Sequence, residues 1–335
     1  MGDDSFLSSL RADISSLENS LNKQDKQIGF FRYRSANKCL EDAKVQPIPR
    51  NLYHSLLFEG EITFLFADTG IGKSILAVQI ANEISKTDKV LYFDLELSDK
   101  QFEARYSEKY LNHYQFNENL IRVDFQRRFS FPDGYTYDSY FIESLKNIIV
   151  STGAKIVIID NMTKLASSDT DSAKSAKPIM DSLCELKFEL GLTMLLLEHT
   201  RKTDMSRTIS LNDLQGSKMK SNFADAAFSI GRSSKDKNLR YIKQLKCRSS
   251  EVVYDTDNVA VYEIIKENSF LHFKFKDYAS EYSHLKIQTE EDKTSLIEKV
   301  KLLSSGGKSQ REISKELGVS LGTVNKYLKS ELSCS

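Results

Sequence analysis

The apolar residues in the first two thirds of the chain form short continuous runs with helical spacing between them. Residues 62–66, 90–95 and 156–159 are mostly apolar without alternation, which is typical of strands buried on both faces of a sheet. Apolar positions three and four apart, typical of helices, occupy the intervals. Strands that alternate with helices predict a mostly parallel sheet flanked by helices, so the predicted fold class is α/β.

The pattern changes beyond residue 232. Apolar runs at 239–245, 252–254, 259–264 and 270–275 are short and are separated by polar turns. These runs predict an antiparallel extension of the sheet. The aromatic residues in them recur at strand spacing, so we expect them to pack in the core rather than to stack on nucleic-acid bases.

Helical spacing also marks the two ends of the chain. Leucine and isoleucine recur at this spacing between residues 7 and 21, which predicts an amphipathic arm that packs on its own domain or docks on a neighbouring subunit. Residues 285–292 are polar and acidic enough for a linker, and a second apolar helical face follows. We therefore predict an N-terminal helical arm (1–40), an α/β domain (41–282), and a linker with a small all-α domain (283–335).

Composition adds few constraints. The 335 residues, 40% of them hydrophobic, suit one main domain with small appendages. Because 47 basic residues balance 47 acidic ones, any contact with DNA has to come from local patches. The cysteines and histidines are scattered without the spacing of a disulfide framework or a zinc site. With no signal-peptide pattern and no apolar stretch near the ~20 residues of a bilayer span, we expect a cytoplasmic protein with no membrane partner.

Residues 67–74, ADTGIGKS, carry the strongest chemical signal in the chain, because they follow a predicted strand and open onto a predicted helix. This is the pattern of a phosphate-binding loop for ATP, in which glycines turn backbone N–H groups toward a polyphosphate. Lys73 is placed to reach the terminal phosphates, and the Ser74 hydroxyl to bind Mg²⁺. Ala67 stands where the pattern usually has glycine, and a small residue suffices there. The predicted nucleotide-binding residues of the loop are Thr69, Gly70, Ile71, Gly72, Lys73, Ser74 and Ile75.

Two carboxylates end the neighbouring predicted strands. Asp160 ends the apolar run at 156–159 and is a candidate Mg²⁺ ligand. Glu96 follows the run at 90–95, and ligands of open parallel sheets bind at that edge. Glu96 is therefore a candidate general base for the attacking water. The alternatives are an ordinary acid at a strand end for Asp160 and a solvated acid before a helix for Glu96.

Two further segments carry a resemblance to a known family. Residues 95–105, LELSDKQFEAR, resemble the segment after the second strand of DnaB-type replicative helicases. Residues 213–217, DLQGS, followed by Ala224-Asp225 and Arg232, resemble the motif after the sensor strand in that family. Over about residues 51–248 the chain is most similar to the RecA-like ATPases that include the hexameric RepA helicases of plasmids and related proteins of mobile elements.

The resemblance implies a RecA-like fold, an ATP- and Mg²⁺-dependent activity, and a homo-oligomer, a hexamer in that group. It assigns Glu96 to the catalytic glutamate, Arg232 to contact with the base, and Arg105 to the nucleotide-binding residues. His199 takes the sensor position, where DnaB-type proteins usually have glutamine and the RepA group has histidine. It would then sense the γ-phosphate, whereas a lone histidine at a strand end is otherwise an ordinary hydrogen-bonding residue.

Lys246 and Arg248 match the Lys-x-Arg pair that these ring ATPases insert into the site of the neighbouring subunit. There the cations stabilise charge on the transferring phosphoryl group. The next residues, Ser249-Ser250-Glu251, depart from the Asn-Gly-Pro often found in DnaB-type sequences. The alternative for the pair is a solvated strand face.

Two polar loops are predicted at the ligand-bearing edge of the sheet, at 161–178 and 200–220. In RecA-like rings these positions line the central channel, where basic side chains can neutralise the phosphates of a single strand of DNA. The alternative is a pair of solvated loops with incidental cations. The predicted contacts to single-stranded DNA are Lys164, Arg201, Lys202, Arg207, Lys218 and Lys220.

Residues 294–328 resemble the helix-turn-helix of resolvases and many bacterial regulators. Ile313 and Leu317 would pack the first helix of the motif, Gly318 permits a tight turn, and Val324 and Leu328 would bury the second helix. This leaves a polar face for the major groove of duplex DNA, although some such modules bind only proteins. The predicted contacts to duplex DNA are Ser320, Thr323, Asn325 and Lys326.

The most specific function that these residues support is a ring-forming, Mg²⁺-dependent ATPase that acts on DNA, as a helicase in the replication or mobilisation of a plasmid or mobile element. Two alternatives belong to other classes. One is an ATP-dependent regulator that binds DNA through the C-terminal module. The other is a helicase loader or recombination mediator that has no unwinding activity.

Overall fold

The computed structural model describes residues 26–126, 132–165, 173–200, 204–215, 218–286, 290–317 and 319–329. The chain divides into two compact units, Met1–Pro49 and Arg50–Ser335. In the first unit, β1 (Lys26–Ile28) and β2 (Phe31–Tyr33) form an antiparallel hairpin, and α1 (Ala36–Lys44) follows. The amphipathic arm predicted from residues 7–21 lies outside the described residues.

The second unit contains the predicted α/β region and the C-terminal helices. Its described strands and helices, in chain order, are β3 (Asn51–Tyr53), β4 (Leu57–Phe58), β5 (Ile62–Ala67), α2 (Lys73–Ile84), β6 (Val90–Asp94), α3 (Asp99–Arg105), β7 (Ser107–Glu108), β8 (Asn112–His113), β9 (Leu120–Val123), α4 (Tyr137–Thr152), β10 (Ile156–Asp160), α5 (Ala173–Leu190), β11 (Thr193–His199), α6 (Lys218–Phe223), β12 (Ala226–Arg232), β13 (Leu239–Lys246), β14 (Val259–Glu267), β15 (Phe270–Ala279), α7 (Glu290–Ser305), α8 (Gln310–Leu317) and α9 (Leu321–Lys329).

One large sheet organises this unit. Its strands lie in the order β15-β14-β13-β12-β5-β11-β10-β6-β9. The strands from β12 to β9 pair in parallel, and β13, β14 and β15 add an antiparallel extension. The strand before the phosphate-binding loop, β5, therefore lies between β11 and β12. The predicted α/β class, a mostly parallel sheet flanked by helices with an antiparallel extension, is confirmed.

Helices cover both faces of the sheet because the central strands are apolar on both sides. Alternate residues of β5 point into different halves of the core: Phe64 packs with α4 and α5, and Leu65 packs with α2. All of β5, β6 and β10 is buried. Continuous apolar runs are what such doubly covered strands require.

The C-terminal helices α7, α8 and α9 pack around Val300, Ile313 and Val324, which are fully buried. Ser309 and Glu312 form a reciprocal cap at the start of α8, and the Ser320 hydroxyl accepts a hydrogen bond from the Thr323 N–H at the start of α9. The predicted all-α C-terminal module is confirmed. No helix within the described ranges has the length and apolarity that crossing a bilayer would need.

A short 3₁₀ helix, Glu281–His284, precedes the C-terminal module and is anchored in the ATPase region. The fully buried Glu281 carboxylate accepts hydrogen bonds from the Lys243 ammonium group at 2.6 Å and the Ile209 N–H at 2.7 Å. The Tyr282 side chain lies close to that of Ser314 on α8. This helix spans the predicted domain boundary at 282/283, and the domain division itself stays a prediction.

Candidate nucleotide-binding site

The phosphate-binding loop connects β5 to α2, as the sequence predicts. Gly72 has φ 117°, and a Cβ atom there would lie 3.0 Å from the Phe273 ring of β15 and 3.1 Å from Ile264 of β14. Glycine is therefore required at position 72 for both backbone and space. Arg240 on β13 donates to the Ile71 carbonyl at 2.9 Å. The antiparallel extension thus supports the loop, a role that the sequence did not reveal.

Lys73 is the first residue of α2, and its side chain folds back into the phosphate-binding loop. Its ammonium group donates to the Ala67 carbonyl at 2.8 Å and the Asp68 carbonyl at 3.2 Å, and it lies 3.2 Å from Nδ1 of His199. Burial lowers the pKa of the Lys73 ammonium group, although the nearby Asp160 and Glu96 carboxylates oppose this shift. A buried cation whose described hydrogen-bond partners are carbonyl dipoles and a ring nitrogen, and not a carboxylate, is suited to an anionic ligand.

Asp160 and Ser74 lie together at the end of β10. The Ser74 hydroxyl lies close to the Asp160 carboxylate, and the Tyr92 hydroxyl donates a hydrogen bond to the same carboxylate at 2.8 Å. Burial raises the pKa of Asp160 to about 6, although the Ser74 and Tyr92 hydroxyl groups oppose the rise. A carboxylate beside a hydroxyl is a pair of hard oxygen donors, which fits Mg²⁺. The cation, when bound, would neutralise charge on the nucleotide phosphates.

We expect Asp160→Asn to stabilise the nucleotide-free protein at neutral pH. The folded-state pKa of about 6 lies above the ordinary carboxyl value of 3.8, so the ionised carboxylate costs stability. This cost is absent below the unfolded-state pKa and grows as pH rises to 6, reaching about 3 kcal/mol at most. The gain in the free energy of urea unfolding should therefore increase between pH 5 and pH 7. The exposed Asp257→Asn is the matched control, and an equal gain at both pH values would contradict the expectation.

Glu96 lies on the turn between β6 and α3, where it is exposed toward the site. The turn is held by the Asp94 carboxylate, which accepts from the Leu97 N–H at 2.9 Å and from Arg122 Nε at 2.9 Å. Arg122 also donates to the Leu97 carbonyl at 2.8 Å and to Asp99 at 2.7 Å. Asp94 and Arg122 thus fix the segment that presents Glu96. Neither residue belongs to a contiguous motif that could have indicated this role.

The structure brings Glu96 and His199 together through Asn161. The Asn161 side-chain amide donates to the Glu96 carboxylate and lies 3.2 Å from Nε2 of His199. Burial lowers the pKa of the His199 imidazole, and the Lys73 ammonium group lowers it further. Sequence reasoning did not single out Asn161, and its one signal was its position directly after Asp160.

The two arginines predicted at the nucleotide lie on different elements. Arg232 ends β12 and lines a small cavity of about 40 Å³ together with Asp68 and Ile71 of the loop. Arg105 ends α3, and its Nη1 is buried with no hydrogen-bond partner in the described part of the chain. An unsatisfied guanidinium nitrogen is costly, which suits a residue that meets an anionic ligand. Both roles stay predictions.

Comparison with known proteins agrees with this geometry. A family model described as an AAA domain matches residues 34–205, just over half of the chain. The chain belongs to this AAA-domain family. It therefore carries an AAA-type ATPase domain, and a second model, described as winged helix-turn-helix DNA-binding, matches residues 302–330. The helix-turn-helix prediction is thereby confirmed.

Other comparisons add little to the family match. A KaiC-like protein from the hyperthermophilic archaeon Pyrococcus horikoshii is structurally similar, with 15% sequence identity and a TM-score of 0.44. The alignment covers 65% of this chain and 90% of that protein. No curated protein matches the chain.

In this AAA-domain protein, Lys246 and Arg248 lie away from the phosphate-binding loop. Lys246 donates to the Ser221 carbonyl at 2.7 Å. Arg248 pairs with Asp225 at 3.0 Å and remains 55% exposed. In the sheet register Lys246 lies opposite Ala227, at the start of β12, whereas the phosphate-binding loop follows the end of β5.

The residues predicted to contact single-stranded DNA are placed differently from one another. Lys164 is exposed, and Arg207 is paired with Asp213 within its loop. Lys220 is buried and its ammonium group is 2.5 Å from the Glu198 carboxylate, so it cannot meet a DNA phosphate as placed here. Arg201 and Lys202 lie outside the described residues, as does the side chain of Lys218.

The residues predicted to contact duplex DNA lie at the start and along the exposed face of α9. Asn325 and Lys326 are exposed, as the prediction requires. Ser320 and Thr323 form the helix cap, with their hydroxyl groups 2.8 Å apart. They can therefore reach DNA only from the helix N-terminus, a position that also favours phosphate.

Proposed function

We propose that this AAA-domain protein forms a ring, a homohexamer, in which each site is completed by the neighbouring subunit, and that the ring acts on DNA as a helicase of a plasmid or mobile element. Lys73 holds the phosphates of ATP, and Ser74 with Asp160 holds Mg²⁺. Glu96 accepts the proton of the water that attacks the γ-phosphate, and the bond to the departing ADP breaks.

The position of Lys246 and Arg248 supports the ring most directly. Ala226 lies opposite Thr63 at the start of β5, and Lys246 lies one pair further along β12. Lys246 is thus level with Phe64, and from Phe64 to Ala67, where the loop begins, β5 rises about 10 Å, at about 3.3 Å per residue. A lysine or arginine at the starting edge is directed away from its own loop. This position supports a role for the pair at the nucleotide site of another subunit.

The two DNA-binding parts suit different forms of DNA. Loops at the carboxyl edge of the sheet carry cations that can follow a flexible strand through the ring. The helix α9 presents Asn325 and Lys326, which suit the major groove of a duplex. The C-terminal module would then bring the ring to duplex DNA.

One observation favours a second function, that of an ATP-dependent DNA-binding regulator. Glu281 joins the loop after His199 to the 3₁₀ helix, and the next residue of that helix, Tyr282, lies beside Ser314 of α8. A shift of the loop with nucleotide state would therefore reach the C-terminal module directly. In such a regulator ATP would change duplex binding, and single strands would not change turnover.

An unwinding assay on forked DNA, with ATP consumption recorded, tests the proposal. The helicase predicts strand displacement that depends on ATP and Mg²⁺, with turnover stimulated by single strands. DNA-stimulated hydrolysis without displacement would indicate a loader or mediator. Hydrolysis that does not respond to saturating single strands, together with ATP-dependent duplex binding, would indicate the regulator.

We expect a chain ending at residue 286 to retain hydrolysis stimulated by single strands and to lose its preference for a particular duplex. This endpoint keeps Glu281 on Lys243, so the ATPase region stays intact. In the full chain, Lys326→Ala should weaken duplex binding and lower the salt slope by about 0.9 per lost phosphate contact. Lys299→Ala, on the exposed side of α7, is the matched control. Equal duplex binding by the shortened and full chains would make the module a protein-docking domain.

A further inference from the structure

Asn161 lies at the centre of the catalytic residues and is almost completely buried, at 1% exposure. The orientation of its amide is fixed by chemistry, because Oδ1 lies 3.0 Å from the Thr163 backbone N–H, which can only donate. Oδ1 also accepts from the Thr163 hydroxyl. The other end of the amide, Nδ2, therefore carries two N–H groups toward Glu96 and His199.

These two N–H groups have different acceptors. One is donated to the Glu96 carboxylate. The other points to Nε2 of His199 at 3.2 Å. The position of Glu96 therefore depends on how well the Asn161 amide is itself fixed. His199 is one of the groups that fix this amide.

His199 faces two donors with a ring that can accept only one hydrogen bond. Lys73 Nζ lies 3.2 Å from Nδ1, and Asn161 Nδ2 lies 3.2 Å from Nε2. A neutral imidazole has one acceptor nitrogen, and an imidazolium has none. The Lys73 ammonium group carries the charge, so while it stays in the loop it favours Nδ1 as the acceptor. The proton is then on Nε2, so Nε2–H faces an N–H of Asn161 and the two cannot form a hydrogen bond.

We propose that Asn161 is a positioning residue for Glu96, and that His199 links this positioning to Lys73 through the choice of ring nitrogen that carries the proton. This inference rests on the proposed hydrolysis by Glu96. When Lys73 turns to the terminal phosphates of ATP, Nδ1 loses its donor. Water can then remove the proton from Nε2 and supply one to Nδ1, since the ring is only half-buried. Nε2 accepts from Asn161, and the amide locks Glu96 in place.

A double-mutant cycle tests the positioning role. Asn161→Ala should lower kcat by about tenfold to a hundredfold, part of the effect of losing the base itself, with KM for ATP within about threefold. In the Glu96→Gln background the same substitution should cause no further loss, because the group that it positions is gone. A purely structural role would give the same loss in both backgrounds and would overturn the proposal. If Asn161→Ala does not fold, Asn161→Asp keeps the shape and the Thr163 contacts while removing both donors.

A matched pair of His199 variants tests the link to Lys73. The amide of glutamine reaches the place of Nε2, and the shorter amide of asparagine reaches that of Nδ1. If Nε2 supports Asn161, kcat of His199→Gln should exceed that of His199→Asn by about tenfold, the scale of one hydrogen bond to a group that acts in catalysis. Equal values, or a higher value for asparagine, would overturn the link.

The catalytic role of Glu96 and the positioning role of Asn161 can be contradicted separately. If Glu96→Gln leaves kcat unchanged, the proposed catalytic role of Glu96 is wrong, and the cycle has no base to position. If Glu96→Gln abolishes turnover while Asn161→Ala does not change it, hydrolysis by Glu96 stands and only the positioning role is wrong.

Discussion

Replacing Glu96 with glutamine should lower ATP turnover by about a hundredfold or more while the affinity for ATP stays within about threefold, because the carboxylate acts on water and not on bound phosphates. Lys73→Ala should instead weaken ATP binding, since the ammonium group contacts phosphate in the ground state. Steady-state turnover and equilibrium nucleotide binding, measured on the same preparations, separate the two effects.

The exposed Glu108→Gln, on the β7–β8 hairpin, is the matched control for the loss of one carboxylate. It should leave both turnover and binding as they are. Equal loss of binding in Glu96→Gln and Lys73→Ala would remove Glu96 from the catalytic role.

Replacing Arg248 with alanine should lower hydrolysis by about a thousandfold and leave nucleotide binding by each subunit intact, the effect of removing a trans-acting arginine. The fold should tolerate the change, because Arg248 is 55% exposed and Asp225 keeps its ion pair with Lys187; a pair with an exposed partner contributes about 1 kcal/mol or less. Arg311→Ala, an exposed arginine on α8, is the control.

Mixing subunits tests whether the arginine acts on a neighbour. Arg248→Ala and Lys73→Ala subunits, each inactive alone, should recover partial activity in mixed rings, because some sites there combine an intact loop with an intact arginine. Mixed rings that form and remain inactive would argue against the trans-acting role.

The parts of the site that could be predicted from the sequence are those that follow directly from a strand. The loop, Asp160 and Glu96 each continue an apolar run, and the ends of such runs meet at one edge of a parallel sheet. The antiparallel extension was predicted as strands, but its support of the loop was not. The Arg240–Ile71 contact joins residues 169 positions apart, and no local pattern encodes it.

Contacts between residues far apart in the sequence also explain why the prediction for Lys220 was wrong. The polar sequence around Lys220 led to its prediction as a channel residue. In the structure its ammonium group instead forms a buried ion pair with Glu198 on β11. Asn161 was missed for a related reason, since an amide after a strand has no chemistry of its own. Its importance comes from Glu96 and His199, which the fold brings to it from 65 and 38 positions away.

The anchoring of the 3₁₀ helix at Glu281–His284 limits how the DNA-binding module can be exchanged. A recombination event that joined a new module at residue 280 would leave Lys243 charged, buried and without its carboxylate, a loss of about 3–5 kcal/mol. Such a fusion would inherit a less stable ATPase domain. A new DNA-binding module should therefore be joined after residue 286, both in evolution and in redesign. The ATPase domain then keeps the Glu281–Lys243 ion pair whatever module follows.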